Sequence, residues 1–323
     1  MSPATGVVRI GNCSGFYGDR ISAMREMLEG GELDVITGDW LAELTMGLLA
    51  KQRDRGKGGW ATTFVHQMRD VLVDLLLFGA VDSPRPWAKE GKVTFICPVP
   101  GYDRHFALLE DLGIEMVTVP MTDDGPDVEE VARIAGSDPS VKGMWVVPTY
   151  ANPTGAIVSH EVASRLAAME TAAPDFKIFW DNAYALHHLT EDEAKSADII
   201  GLAAASGHPH RPIMFASTSK ITYAGAGVAF LASSVEQVAW YLKHLGMGSI
   251  GPDKLNHLRH AEFFGDADGV RAHMRKHAEI IAPKFAEVDR VLTERLGGLG
   301  IATWNRPTGG YFVNLDVDRK SVV

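Results

Sequence analysis

Residues Pro212–Gly227 read PIMFASTSKITYAGAG. The first six, PIMFAS, are a continuous apolar run of strand length, the pattern of a strand covered on both faces. Lys220 stands just beyond it, where the strand opens into a loop, with hydroxyls at Ser217, Thr218 and Ser219. A lysine is rarely buried without a partner. Two readings are open here. One is a solvated lysine on a surface loop. The other is an amine held in a pocket, its pKa lowered so that it can form a Schiff base.

The same pattern recurs on both sides. KVTFICPVPGY (92–102), IEMVTVPM (114–121), VKGMWVVPTY (141–150), FKIFWDNAYA (176–185) and GVAFLASS (227–234) read as strands. FVHQMRDVLVDLLLFGA (64–80), RHFALLEDLG (104–113), PDVEEVARIAG (126–136) and SHEVASRLAAME (159–170) read as helices between them. Apolar strands alternating with helices predict an α/β fold, a mostly parallel sheet covered by helices. In such sheets ligands bind beyond the carboxyl ends of the strands. After Ser234 the pattern changes to a helix at 236–246 and a long amphipathic stretch at 267–298. That stretch leads to a strand expected around Tyr311, the start of a truncated smaller domain.

Composition sets the bounds. The chain has 323 residues, 46% hydrophobic and 22% charged, enough for a sizeable core and two domains. A formal charge of −10 argues against a nucleic-acid binder. Cys13 and Cys97 are too few for a disulfide framework or a metal-ligand spacing. MSPATGVVRIG lacks a signal peptide's apolar core, and VLVDLLLFGAV carries Asp74 and is too short to span a bilayer. The expectation is a cytoplasmic protein with no membrane partner.

Four polar clusters fall at strand ends: PVPGY (98–102), YANPTG (150–155), WDNAY (180–184) and STSK (217–220). Singly, each has an ordinary explanation. Tyr102 and Tyr184 can be packing, Asn152 can hold a turn, and Asp181 can cap a helix. Together they supply what a pyridoxal phosphate site needs: a lysine, a carboxylate for the pyridine nitrogen, donors to the phenolate oxygen, an aromatic against the ring and hydroxyls for the phosphate.

With these residues on the page, Val71–Val317 resembles the fold-type I aminotransferases, above all the aspartate aminotransferase Ic subgroup. The motifs are CPVPGYDRHF, NPTG, WDNAY, FASTSK and PTGGYF. The resemblance implies a transaminase with pyridoxal 5'-phosphate held as an aldimine on Lys220, which is also the catalytic base. It implies Asp181 at the pyridinium nitrogen, Asn152 and Tyr184 at the phenolate oxygen, and Tyr102 on the ring face. Ser217 and Ser219 would reach the phosphate. Aspartate or glutamate with 2-oxoglutarate are the implied substrates, and a homodimer the implied assembly.

The pattern also departs from that family. Ala226 stands where many relatives carry a phosphate-binding arginine, and no candidate for the substrate α-carboxylate is found. The Gly/Ser-rich phosphate loop implied before the helix at 68–80 is replaced. Val8–Met68, through GNCSGFYGDR and DWLAELTMGLLAKQR, resembles the acyclic terpene utilisation family. The expected division is therefore 1–68 as that fragment, 69–250 as the cofactor domain, and 251–323 as a linker helix with a partial small domain. A chimeric, truncated gene model is the expectation, and a catalytically incompetent fragment is the alternative function. His187, His188, His208 and His210 are expected as surface or loop histidines.

Overall fold

The computed structural model describes residues 7–10, 64–222, 226–248 and 253–317. Most of the N-terminal fragment expected at 1–68 lies outside these residues. The strands are β1 (Val7–Ile10), β2 (Thr94–Val99), β3 (Glu115–Thr122), β4 (Gly125–Pro126), β5 (Val141–Val146), β6 (Lys177–Asp181), β7 (Pro212–Ser217) and β8 (Ala229–Ser233). They form one sheet in the order β1-β8-β7-β6-β5-β2-β3-β4. The β3–β2–β5–β6–β7 core is parallel; β8 runs antiparallel to β7, β1 to β8 and β4 to β3.

Side-chain alternation explains why the sheet needs cover on both sides. Ile96, Met144, Ile178, Trp180 and Met214 face one core. Their immediate neighbours Phe95, Trp145, Phe179 and Phe215 face the other. Strand side chains alternate with a period of two, so a run without polar residues buries both faces. The first core is closed by α3 (Val128–Ser137), α4 (His160–Ala168) and α5 (Ile199–Ala205) through Val131, Leu166 and Ile200. The second is closed by α1 (Phe64–Phe78), α2 (Asp103–Asp111) and α6 (Val235–Gly248) through Leu72, Leu109 and Tyr241. Asp127 and Ser159 cap α3 and α4 by accepting from the N–H groups of Glu130 and Val162, which answers otherwise orphaned donors.

Beyond α6 come α7 (Lys254–Phe264) and the long α8 (Ala267–Leu296), then β9 (Ala302–Trp304) paired with β10 (Leu315–Val317). The strand expected around Tyr311 does not form. Pro307 and the Gly309–Gly310 pair make residues 307–312 a loop, with Gly310 at φ +77°. A Cβ on Gly309 would lie 2.2 Å from the ring of Tyr150, so only glycine lets this loop cross that ring.

The end of the sheet opposite the strand carboxyl ends holds paired buried charges. Lys142 donates to Asp175 at 2.8 Å, and Asp175 also accepts from Trp87 Nε1 at 2.8 Å and Ser83 Oγ at 2.6 Å. Lys177, fully buried, reaches Asp82 at 2.6 Å. These pairs tie the 80–90 connection beneath the starts of β5 and β6.

Candidate active site

At the carboxyl ends of the parallel strands, the four polar clusters converge. β6 ends on Asp181, one strand away from the end of β7 at Ser217. Asp181 Oδ2 lies 2.9 Å from His105 Nε2, and Oδ1 accepts from Ala183 N–H at 3.1 Å. His105 sits in the first turn of α2, its ring stacked on Trp145 at 4.1 Å between centroids. Tyr102, the residue before α2, meets His105 edge-on at 5.0 Å. A carboxylate this buried survives because both oxygens have partners.

Lys220 Nζ lies 4.6 Å from the ring centroid of Tyr184 and 5.9 Å from that of Phe64. It has no ion-pair partner among the described residues. Burial pushes its pKa below the ordinary lysine range, and the charge of Asp181 opposes that shift. The amine is therefore more often neutral, and more nucleophilic, than a surface lysine. Burial, with the charge of Asp181 adding to it, drives the Tyr184 hydroxyl in the other direction, so it stays protonated and able to donate.

The loop after β5 brings Asn152 to the same end, beside a narrow cleft. Tyr102, His105, Trp145 and Asn152 line that cleft. The Asn152–Pro153 peptide is cis, and Tyr150 just before it adopts φ +50°. Neither the Asn152 amide nor the Tyr184 hydroxyl has a hydrogen-bond partner among the described residues. Ser217 and Ser219 share a hydrogen bond at 2.9 Å. The Lys220 loop is closed by Thr218 N–H to Val228 O at 2.9 Å and Val228 N–H to Thr218 Oγ1 at 2.8 Å.

An unpaired amine, a held carboxylate and two idle donors form a donor set with unmet capacity. The set suits a ligand with an electrophilic carbon, a basic ring nitrogen and an oxyanion, which are the groups of pyridoxal phosphate. All seven residues picked from sequence lie at this end of the sheet.

Comparison with known families decides the lineage. Residues 59–322 match the family described as aspartate amino-transferase. The chain belongs to that family. An aminotransferase of Mycolicibacterium smegmatis is 58% identical over 253 residues, covering 78% of this chain and 59% of that protein. An aspartate aminotransferase of Corynebacterium glutamicum is 55% identical over 250 residues, covering 77% and 58%. The crystal structure of an aspartate transaminase from the same species superposes with a TM-score of 0.78 at 54% identity, covering 80% of this chain and 61% of that one. The chain thus spans about three fifths of the length of these relatives. Residues 8–78 also match the acyclic terpene utilisation family. The aspartate aminotransferase family implies pyridoxal phosphate as cofactor.

Two residues that touch this cluster escaped the sequence reading. His105 is three residues after Tyr102, the helical spacing that puts both on one side of α2; the YDRH run was the available signal. His187 was expected as a surface or loop residue; it lies in the loop after β6 but not at the surface. It is buried, packed edge-on against Tyr184 and Tyr311, and its Nε2 lies 3.4 Å from the carbonyl oxygen of Lys220. Among the described residues no group of three or more histidine, cysteine or acidic side chains could hold a metal ion, and no helix is long and apolar enough to cross a membrane.

Proposed function

We propose that this chain is a pyridoxal-phosphate-dependent aminotransferase that moves an amino group between an acidic amino acid, aspartate or glutamate, and a 2-oxo acid such as 2-oxoglutarate. The observation that carries this reading is the Lys220 amine, half-buried over Tyr184 without a carboxylate partner and with Asp181 at the end of the adjacent strand. When bound, the cofactor supplies a protonated pyridine ring that delocalises the charge left on a substrate carbon after proton loss.

The chain's own residues do the rest. Lys220 Nζ would hold the cofactor, and its neutral amine would serve as the base that takes the proton from the substrate Cα. Burial lowers the pKa of the amine, which raises its neutral share above that of a surface lysine. Asp181 presents its carboxylate to the ring nitrogen, kept in place by His105 and the Ala183 N–H. Asn152 and Tyr184 would donate to the phenolate oxygen, Tyr102 would cover one ring face, and Ser217 and Ser219 would offer hydroxyls to the phosphate. A homodimer, as the family implies, and a cytosolic setting, as the two cysteines suggest, belong to the same proposal.

The test is to add pyridoxal phosphate to the purified chain, record its visible absorbance, reduce with borohydride and map the modified peptide. A single reduced adduct at Lys220, absent from Lys220→Ala, is the expected result, followed by turnover of aspartate with 2-oxoglutarate. Soluble, folded protein that gives no adduct would refute the reading.

A further inference from the structure

The carbonyl of Lys220 receives donors from two directions. Tyr311 O–H donates to it at 3.0 Å, and His187 Nε2 reaches it at a longer 3.4 Å. A carbonyl only accepts, so Nε2 carries the proton on His187. Burial pushes the His187 pKa down to about 3, which keeps the ring neutral with Nδ1 a bare acceptor. That Nδ1 is buried and has no partner. The Tyr311 hydroxyl, pushed upward by burial, stays protonated and remains a donor.

These two donors come from distant parts of the chain. His187 follows β6 and the Asp181 cluster. Tyr311 belongs to the segment between β9 and β10. That segment is fastened at both ends of its span across the site. Asn305 donates to the carbonyl of Thr154, in the loop that carries Asn152. Gly310 N–H donates to the His187 carbonyl at 2.8 Å, and Leu189 N–H to the Thr308 carbonyl at 2.9 Å. Residues 305–311 therefore strap together the loops after β5, β6 and β7. Neighbouring contacts hold the other side of the lysine: His273 Nε2 donates to the Ile221 carbonyl at 2.8 Å, and the Thr218 hydroxyl meets His260 Nε2 at 2.8 Å.

We propose that Tyr311 and His187 are positioning residues for Lys220: by bonding its main-chain carbonyl they set the direction in which the amine leaves the β7 loop and keep it over Tyr184. The physical reason is leverage. A lysine stem has four rotatable carbons, and rotation of the peptide at its base swings the amine by several ångströms. Two donors on the carbonyl restrict that rotation. Loss of the stronger one leaves a half-buried acceptor with a single long bond, a penalty that favours orientations in which the carbonyl and the amine reach water.

The inference rests on the aminotransferase reading only in its kinetic arm; its primary test needs no cofactor. The experiment compares wild type, Tyr311→Phe and His187→Gln of the full chain by competitive acetylation with acetic anhydride across pH, reading Lys220 by mass spectrometry. Tyr311→Phe keeps the ring packed against His187 and removes only the donor. Above its midpoint, where the amine is neutral and access sets the rate, its Lys220 is expected to acetylate about threefold to tenfold faster, the equilibrium weight of one hydrogen bond, with the pH midpoint itself moved up toward ordinary lysine. His187→Gln retains an N–H donor of similar reach and is expected to stay near wild type. With cofactor and substrates, Tyr311→Phe is expected to lower kcat with KM unchanged. Lys220 reactivity and pH midpoint within about twofold of wild type in folded Tyr311→Phe would overturn the proposal. Failure of wild type to trap the cofactor, with the acetylation difference intact, would sink the aminotransferase reading and leave the positioning inference standing.

Discussion

His105→Phe probes how the site holds its buried carboxylate. The two side chains are 2% and 4% exposed, with a contact of 2.9 Å. Phenylalanine preserves the stacking on Trp145 and fills the imidazole's space, so the change isolates the lost hydrogen bond. Asp181 Oδ2 is then left in an apolar pocket while Oδ1 keeps Ala183. Breaking a buried pair from one side costs about 3–5 kcal/mol. The surviving bond to Ala183 places the expectation at the low end, about 3 kcal/mol. For a unit of this size, that lowers the melting midpoint by about 6–12 °C. Adding Asp181→Asn to His105→Phe removes the stranded charge while keeping an acceptor for Ala183. About half of the loss is expected to return, a non-additivity that a double-mutant cycle reads directly. The assay is thermal unfolding followed by circular dichroism. A His105→Phe midpoint within about 2 °C of wild type, or two strictly additive losses, would show that Asp181 is not held in this way.

Two further outcomes follow from the same geometry. Lys220→Met replaces a half-buried amine by an apolar chain of similar length. The folded pKa of Lys220 lies below its unfolded value, so the unfolded chain binds more protons between those two values and wild-type stability rises with pH there. The variant is therefore expected to melt higher than wild type near pH 7, with the difference fading as pH approaches the ordinary lysine range; a pH-independent difference would contradict the burial argument. Gly309→Ala drives a methyl into the Tyr150 ring and is expected to cost about 1–3 kcal/mol, while Gly248→Ala, with nothing within 4 Å of its Cβ, is expected to be near neutral in the same urea titration.

The strand ends were legible because each polar cluster follows an apolar run with no other use for a charge. FWD and FAS each stop the core pattern at one residue, and the parallel order puts those stops side by side. His105 and His187 were harder to see because their partners are far away in sequence: 76 residues separate His105 from Asp181, and 33 separate His187 from Lys220. No local period encodes such pairs. The strand expected at Tyr311 failed for a local reason, since Pro307 and two glycines outweigh the aromatic residues that follow. Helix α7 was missed because KLNHLRHAEFF interleaves histidines with apolar residues, and its inner face meets the lysine loop through polar Asn256 and His260. Ser217 and Ser219 were picked from the sequence as hydroxyls for a phosphate; their bond to each other is something periodicity alone could not show.

The paired charges beneath β5 and β6 have a consequence for how such sequences can change. Losing Lys142 strands Asp175, and losing Asp82 strands Lys177 inside the protein. Either single step costs about 3–5 kcal/mol, a large part of the 5–15 kcal/mol that typically separates folded from unfolded chains. Replacing both members together by apolar residues has no such barrier. Descendants of this fold should therefore inherit positions 142 with 175, and 82 with 177, as units that are kept or exchanged whole, so that substitution at one predicts its partner without reference to the chemistry at the other end of the sheet.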